Sequence, residues 1–330
     1  MRRFALCLTT LLALSPLAAA GGLRPEWIPE GTQWVAHLDV EAFRRTELRA
    51  GLEGFVAEHE EDFTTTFAFS DLVEDAELPA ETRAKLARLD FDLWRDLRSV
   101  TAIGRGGELE DDLVLLETSG LVHDLLDALH GTPGYDRIRR EDLPLHRFSD
   151  PDGGEEAGFC YLARVGDDGD RWVTLVSKDA AAIVRSVRVL QREEPALRND
   201  LAGHLRLDPL PSSWLYFEAV GGLPGIEDID EASMVTRFAQ DARLEVGERD
   251  GYLEARLVVD TEDSLQATQA AQLLQGLAAF AGLASDEPEM EAVGRLVSGL
   301  QFRTDGPRFL VDFEFESREL LRILRELEDS

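Results

Sequence analysis

Four times the chain runs through one grammar: an alternating apolar run, a turn of glycine and acidic residues, a second alternating run, then apolar residues at helical spacing. Residues 97 to 130 give "LRSVTAIGR", "GGELED", "DLVLLETS" and "GLVHDLLDALH". Residues 163 to 177, "ARVGDDGDRWVTLVS", lead into "KDAAAIVRSVRVLQ", where Ala181, Ile183, Val184, Val187, Val189 and Leu190 recur at helical spacing. Residues 240 to 282 and 298 to 328 repeat the pattern around the turns "ERDG" and "TDGP". A period of two marks a half-buried strand and a period of 3.6 a helix. Tight turns impose antiparallel pairing, and a helix with one apolar stripe must cover a sheet. The expected fold is therefore α+β: two-layer, antiparallel sheets with helices packed on one face, built from repeated β-hairpin-plus-helix units.

A larger duplication contains these units. "PEGTQWVAHLDV" (29 to 40) and "PLPSSWLYFEAV" (209 to 220) each place a proline five residues before a tryptophan that opens an alternating strand, at a constant offset of 180. Two hairpin-plus-helix units follow each opener. The chain thus reads as a first half, 21–204, and a second, 205–330, with a helical insertion at 45–95 in the first. The spacing of the units is too irregular for a solenoid. It leaves open whether the halves are separate domains or one sheet.

The opener "WIPEGTQWVAHLDVEAFRRTELRAGL" resembles the start of a loose group of uncharacterised exported bacterial proteins, in which a proline and small polar residues precede an alternating strand ending in Asp, then a helix. The resemblance implies export and a duplicated α+β fold, and carries no functional residues with it.

The first residues point the same way. "MRRFALCLTTLLALSPLAAAGG" has two arginines, an uncharged and mostly apolar run and a small-residue end, the layout of a signal peptide over residues 1–20 cleaved after Ala20. The expected location is periplasmic or extracellular, with no membrane span once the leader is gone. The leader holds two of the 34 basic residues and none of the 65 acidic ones, so its loss takes the net charge from −31 to −33. Such a surface repels nucleic acid. Of the two cysteines only Cys160 outlasts processing, so no intrachain disulfide forms, and its place in "GFCYLARV" makes it a buried, inert thiol. Lysine occurs only at 85 and 178 and asparagine only at 199; a saline habitat and a GC-rich coding bias account for this equally well.

Candidate chemistry is sparse. Asp167, Asp168 and Asp170 crowd one turn, but no glutamate arrives at the twelfth position of a calcium loop, so the reading is turn geometry. His123, Asp127 and His130 fall on one helical face and could hold zinc, yet that face is the one opposite Leu121, Val122, Leu125, Leu126 and Leu129. His37 and Asp39 share a strand face, as a base and its orienting carboxylate would, but the matching positions of the second opener are Phe217 and Ala219, so the face reads as packing surface. "GRGGEL" (104 to 109) lacks the third glycine of a dinucleotide loop, and neither lysine follows a glycine as a P-loop needs. The acidic clusters at 58 to 62, 227 to 231 and 285 to 291 read as solvated surface. Residues 264 to 285 carry no charge; Gln266, Gln269, Gln272 and Gln275 form a polar side, and Leu265, Leu273, Leu274 and Leu277 with the alanines a packing side, against the core first and a protein partner second.

No catalytic, metal or cofactor residues are assigned and no cofactor is expected. The expectation is an exported protein with a non-catalytic binding or structural role in the cell envelope, among protein partners. The alternative is an exported hydrolase, metal-assisted, using acidic residues with His37, His123 or His130.

Overall fold

The alternating runs pair where their turns dictate. The computed structural model describes residues 22–58, 80–86, 88–89, 93–106, 112–149, 158–165, 171–197, 205–222, 239–283 and 288–328. The leader, the loop of Asp167, Asp168 and Asp170, most of the first acidic cluster and all of the second lie outside them.

After a short 3-10 helix at Pro25–Trp27 come β1 (Trp34–Asp39), α1 (Val40–Phe43), α2 (Glu47–Glu58), α3 (Ala80–Leu86) and α4 (Leu93–Asp96). Then follow β2 (Leu97–Gly104), β3 (Leu113–Thr118), α5 (Leu121–Ala128), β4 (Tyr135–Arg140), β5 (Leu143–Phe148), β6 (Gly158–Val165), β7 (Arg171–Ser177) and α6 (Ala180–Leu190). The chain continues with β8 (Ser213–Val220), β9 (Asp241–Arg249), β10 (Tyr252–Asp260), α7 (Ser264–Leu283), α8 (Pro288–Val297), β11 (Leu300–Asp305), β12 (Arg308–Glu316) and α9 (Ser317–Glu328).

This is a mixed helix and strand protein with one 12-stranded antiparallel sheet, ordered β11-β12-β10-β9-β8-β1-β2-β3-β7-β6-β5-β4. The sheet is continuous because the two openers pair with each other, Leu38 opposite Leu215 and Trp34 opposite Ala219. Turn chemistry sets the registers. Asp250 and Gly251, at φ 54° and 80°, make the two-residue left-handed link that the twist of a β9–β10 hairpin needs. The sequence reading missed the hairpin of β4 and β5, whose link is Glu141 and Asp142 at φ 47° and 66°. No glycine marks that turn.

Helices lie on both sides of the sheet, which corrects the one-face expectation. One face carries Val35, Ile103, Leu113, Leu115, Val173 and Leu175, covered by Ile183 and Val187 of α6. The other carries Leu38, Val246 and Leu253, covered by Phe43 of α1, Leu48 of α2 and Leu320 and Leu321 of α9. On that second face α7 sets Ala267, Ala270 and Ala271 against Ala242, Val259 and Phe309, where small side chains permit close approach. Leu265, expected on the packing side of α7, is 63% exposed. The reason for the divided helices is in the strands. β7 buries Val173, Thr174 and Leu175 in succession, so both of its faces need cover. β12 instead alternates Leu310, Asp312 and Glu314 on the α6 side with Val311, Phe313 and Phe315 on the other, so α9 has one apolar face to cover. Side-chain acceptors start these helices: Asp179 takes Ala181 N and Ala182 N at 2.8 and 3.0 Å, and Asp263 takes Leu265 N and Gln266 N.

Candidate functional site

The sequence-designated groups resolve into separate structural duties. On α5, His123 Nδ1 lies 3.6 Å from Asp127 Oδ2 and 3.9 Å from Asp124 Oδ1, at the half-exposed side of the helix. Asp127 also accepts from Arg137 of β4, so a guanidinium already holds the carboxylate that a metal would need. His130 is exposed. Among the described residues no three His, Cys, Asp or Glu side chains are grouped to hold a metal ion.

His37 and Asp39 share a buried face, but each serves a neighbour. His37 Nδ1 lies 2.8 Å from Thr101 Oγ1, and Asp39 Oδ1 accepts from Ala42 N at 2.7 Å, capping α1. Burial, then repulsion from Glu41 and Glu117, pushes the Asp39 carboxyl up to about 8, with Arg45 opposing. Glu117, which the sequence reading passed over, stands in the same row: Asp39 is opposite Ser99, and Ser99 is opposite Glu117. It is 2% exposed and paired with Arg171 at 3.3 Å. Burial raises its pKa against the pull of Arg171, Arg24 and Arg98. A carboxylate interrupting the alternation Leu113, Leu115, Glu117 was the signal for it. Tyr216 Oη donates to Glu218 Oε2 at 2.6 Å, and the same oxygen accepts from Arg206 N and Leu207 N, tying residues 205–207 to β8. Burial pushes the Cys160 thiol up to about 12, leaving little thiolate. These groups are buried.

The second half is different, because the α6 side of β9, β10, β12 and β11 carries paired charges. A row across the sheet runs Glu245, Arg256, Asp312, Gln301 in strict register. The segment Leu210 to Ser213 walls it on one side and a cavity of about 290 Å³ opens above it. Gly247 makes this wall possible, since a Cβ there would meet the Ser212 carbonyl oxygen at 2.3 Å. Glu245 fixes it, accepting from Leu210 N at 3.3 Å while Arg243 Nε lies 3.5 Å away.

Carboxylates form the floor and guanidinium groups the rim. Asp312 Oδ1 accepts from Arg256 Nε at 2.7 Å and its Oδ2 from Arg303, while Glu254 accepts from Arg249 at 2.5 Å. Side-chain exposure falls from 66, 57 and 44% for Arg249, Arg303 and Arg256 to 26 and 21% for Glu254 and Asp312. Burial pushes the Asp312 carboxyl up, but the hydrogen bonds from Arg256 and Arg303 outweigh it and hold the group below the usual carboxylate range. Sequence reasoning missed this groove: "YLEARLVVD", "LQFRTD" and "RFLVDFEFE" look like ordinary half-solvated strands until the register aligns their charges.

Among the described residues no helix is long and apolar enough to cross a membrane. No family model and no curated protein matches the chain. Solved structures of TP0453 are similar in outline. Crystal form III has a TM-score of 0.44 at 9% identity, over 92% of this chain and 99% of that one. Crystal form I has 0.42 at 10%, over 94% and 99%. At these scores the likeness carries no functional inference.

Proposed function

We propose that this chain is an exported binding protein of the cell envelope that acts without catalysis, and that the groove of the second half, over which no helix of the described residues packs, is its binding surface. The observation that carries the reading is the contrast between two kinds of site. Among the described residues the carboxyl groups with raised pKa values, Asp39 and Glu117, are buried and engaged by the protein, while in the open groove Asp312 and Glu254 are engaged by arginine and Glu314 stands exposed. General acid or base work needs a shifted group within reach of substrate.

The proposal includes the duplication. Outward from the middle of the sheet, the strand orders β1-β2-β3-β7-β6 and β8-β9-β10-β12-β11 match, and the extra hairpin β4–β5 belongs to the first half alone. Under this reading the halves 21–204 and 205–330 descend from one unit. Among the described residues the first carries helices on both sheet faces and the second on one, which leaves the other face to a ligand.

The test is a ligand screen by thermal shift on the exported chain, alongside chromogenic ester, phosphoester, peptide and glycoside substrates. Ligands should raise the Tm of the parent protein and lose that effect in the Arg256→Gln/Arg303→Gln double variant, with no turnover. Turnover of any substrate class by the parent, abolished by substitution at His37 or Glu117, would overturn the reading. N-terminal sequencing of the exported chain should return Gly21 first.

A further inference from the structure

Resting on the groove as binding surface, we infer that its ligand is a small molecule bearing an oxyanion, a phosphate or carboxylate group, held between Arg256 and Arg303. The inference comes from which hydrogen-bonding capacity the groove has left. Both oxygens of Asp312 are engaged, one by each of these arginines. A guanidinium has five N–H donors, and each arginine gives one of them to Asp312. Two cations therefore divide the hydrogen bonds of one carboxylate, with Glu245 and Glu254 also attracting Arg256, and the two arginine side chains are 44 and 57% exposed.

Shared support is what makes the pair specific. A lone exposed arginine spends side-chain entropy to bind, whereas these two are already held by the floor carboxylate, so less is lost on engaging a ligand. Guanidinium groups match carboxylate and phosphate oxygens by paired N–H bonds. Ser212 and Gln301 at the wall and floor add neutral donors. A cavity of about 290 Å³ suits a small molecule more than a folded partner. The net charge of −31 gives no long-range attraction for an anion, so the affinity is local and survives added salt better than surface steering does. Lining carboxylates oppose the ligand: Glu245 and Glu254 are offset by Arg243 and Arg249, whereas Glu314, beside Glu254 on the same face, is exposed. Its neutralisation should tighten binding.

The experiment is isothermal titration of the full exported chain with inorganic phosphate and, separately, with succinate, at constant ionic strength set by sodium chloride. Thermal shift on the same samples is the second readout. Phosphate alone binding identifies a phosphoryl ligand, and succinate alone a carboxylate. Arg256→Gln and Arg303→Gln should each weaken the better anion at least tenfold, Arg139→Gln on distant β4 should leave it unchanged, and Glu314→Gln should strengthen it two- to fivefold. Circular dichroism confirms that each variant is folded. Neither anion binding, or equal binding by all variants, overturns the inference. If the screen finds only uncharged ligands that the double variant loses, the groove stands as a binding surface and the oxyanion assignment alone fails.

Discussion

Asp39 is buried at 4% exposure, where ionisation is costly, and yet its oxygen caps α1. Its folded pKa, about 8, lies above the ordinary 3.8, so the folded chain keeps a proton that the unfolded chain releases. Stability is then fully present below pH 4 for this group and is lost as pH rises toward 8. Glu117, raised by the same cause, adds in the same direction. Asparagine keeps the acceptor for Ala42 N and removes the titration. Asp39→Asn should therefore flatten the fall in stability between pH 5 and 8 and exceed the parent at pH 8, as read from urea midpoints. Asp39→Ala should lose the cap at all pH values, by about 1 kcal/mol. An unchanged slope in Asp39→Asn would move the titration to Glu117.

At the scale of elements, the β4–β5 turn stores strain that substitution can release. Glu141 and Asp142 both sit at positive φ, where a side chain costs about 1 kcal/mol or more that glycine does not. Replacing them with Asn-Gly, the favoured pair for such a turn, should raise stability by about 1 kcal/mol, seen as a higher urea midpoint with an unchanged slope. A loss of stability would mean that the ion pair of Glu141 with Arg188 matters more than the backbone. The same turn explains where sequence reasoning stopped. Strands flanked by glycine, such as β9 and β10 around Asp250 and Gly251, were legible because turn residue and alternation agreed. β4, "YDRIRR", is polar and its turn has no glycine, so nothing local announces it. The need for cover on both faces was recoverable from β7, where Trp172, Val173, Leu175 and Val176 place apolar side chains on both sides of the strand. The groove was not, because Arg256 and Asp312 become neighbours only through the pairing of β10 with β12, 56 residues apart.

The whole molecule should unfold as one unit, because its two ends are joined by more than the β1–β8 pairing. Tyr216 of β8 lies in the core formed by β1, β2, β3 and β7, and Trp214 packs edge-on against Phe43 at 5.6 Å. Glu248 of β9 reaches across 201 residues to accept from Glu47 N at 2.7 Å, and takes Leu48 N and the Ser317 hydroxyl as well. It thus caps α2 from another part of the chain while anchoring the start of α9, and Arg318 closes the contact on Glu47. Hydrogen exchange in rising urea should show the amides of β2–β3 and β9–β10 losing protection at the same concentration. Hydrogen bonds to a charged group contribute about 1.5–3 kcal/mol, so Glu248→Ala should lower both midpoints together by an amount of that order. Two separated transitions, with Glu248→Ala moving one of them alone, would instead make the halves independent domains that share a sheet without sharing stability.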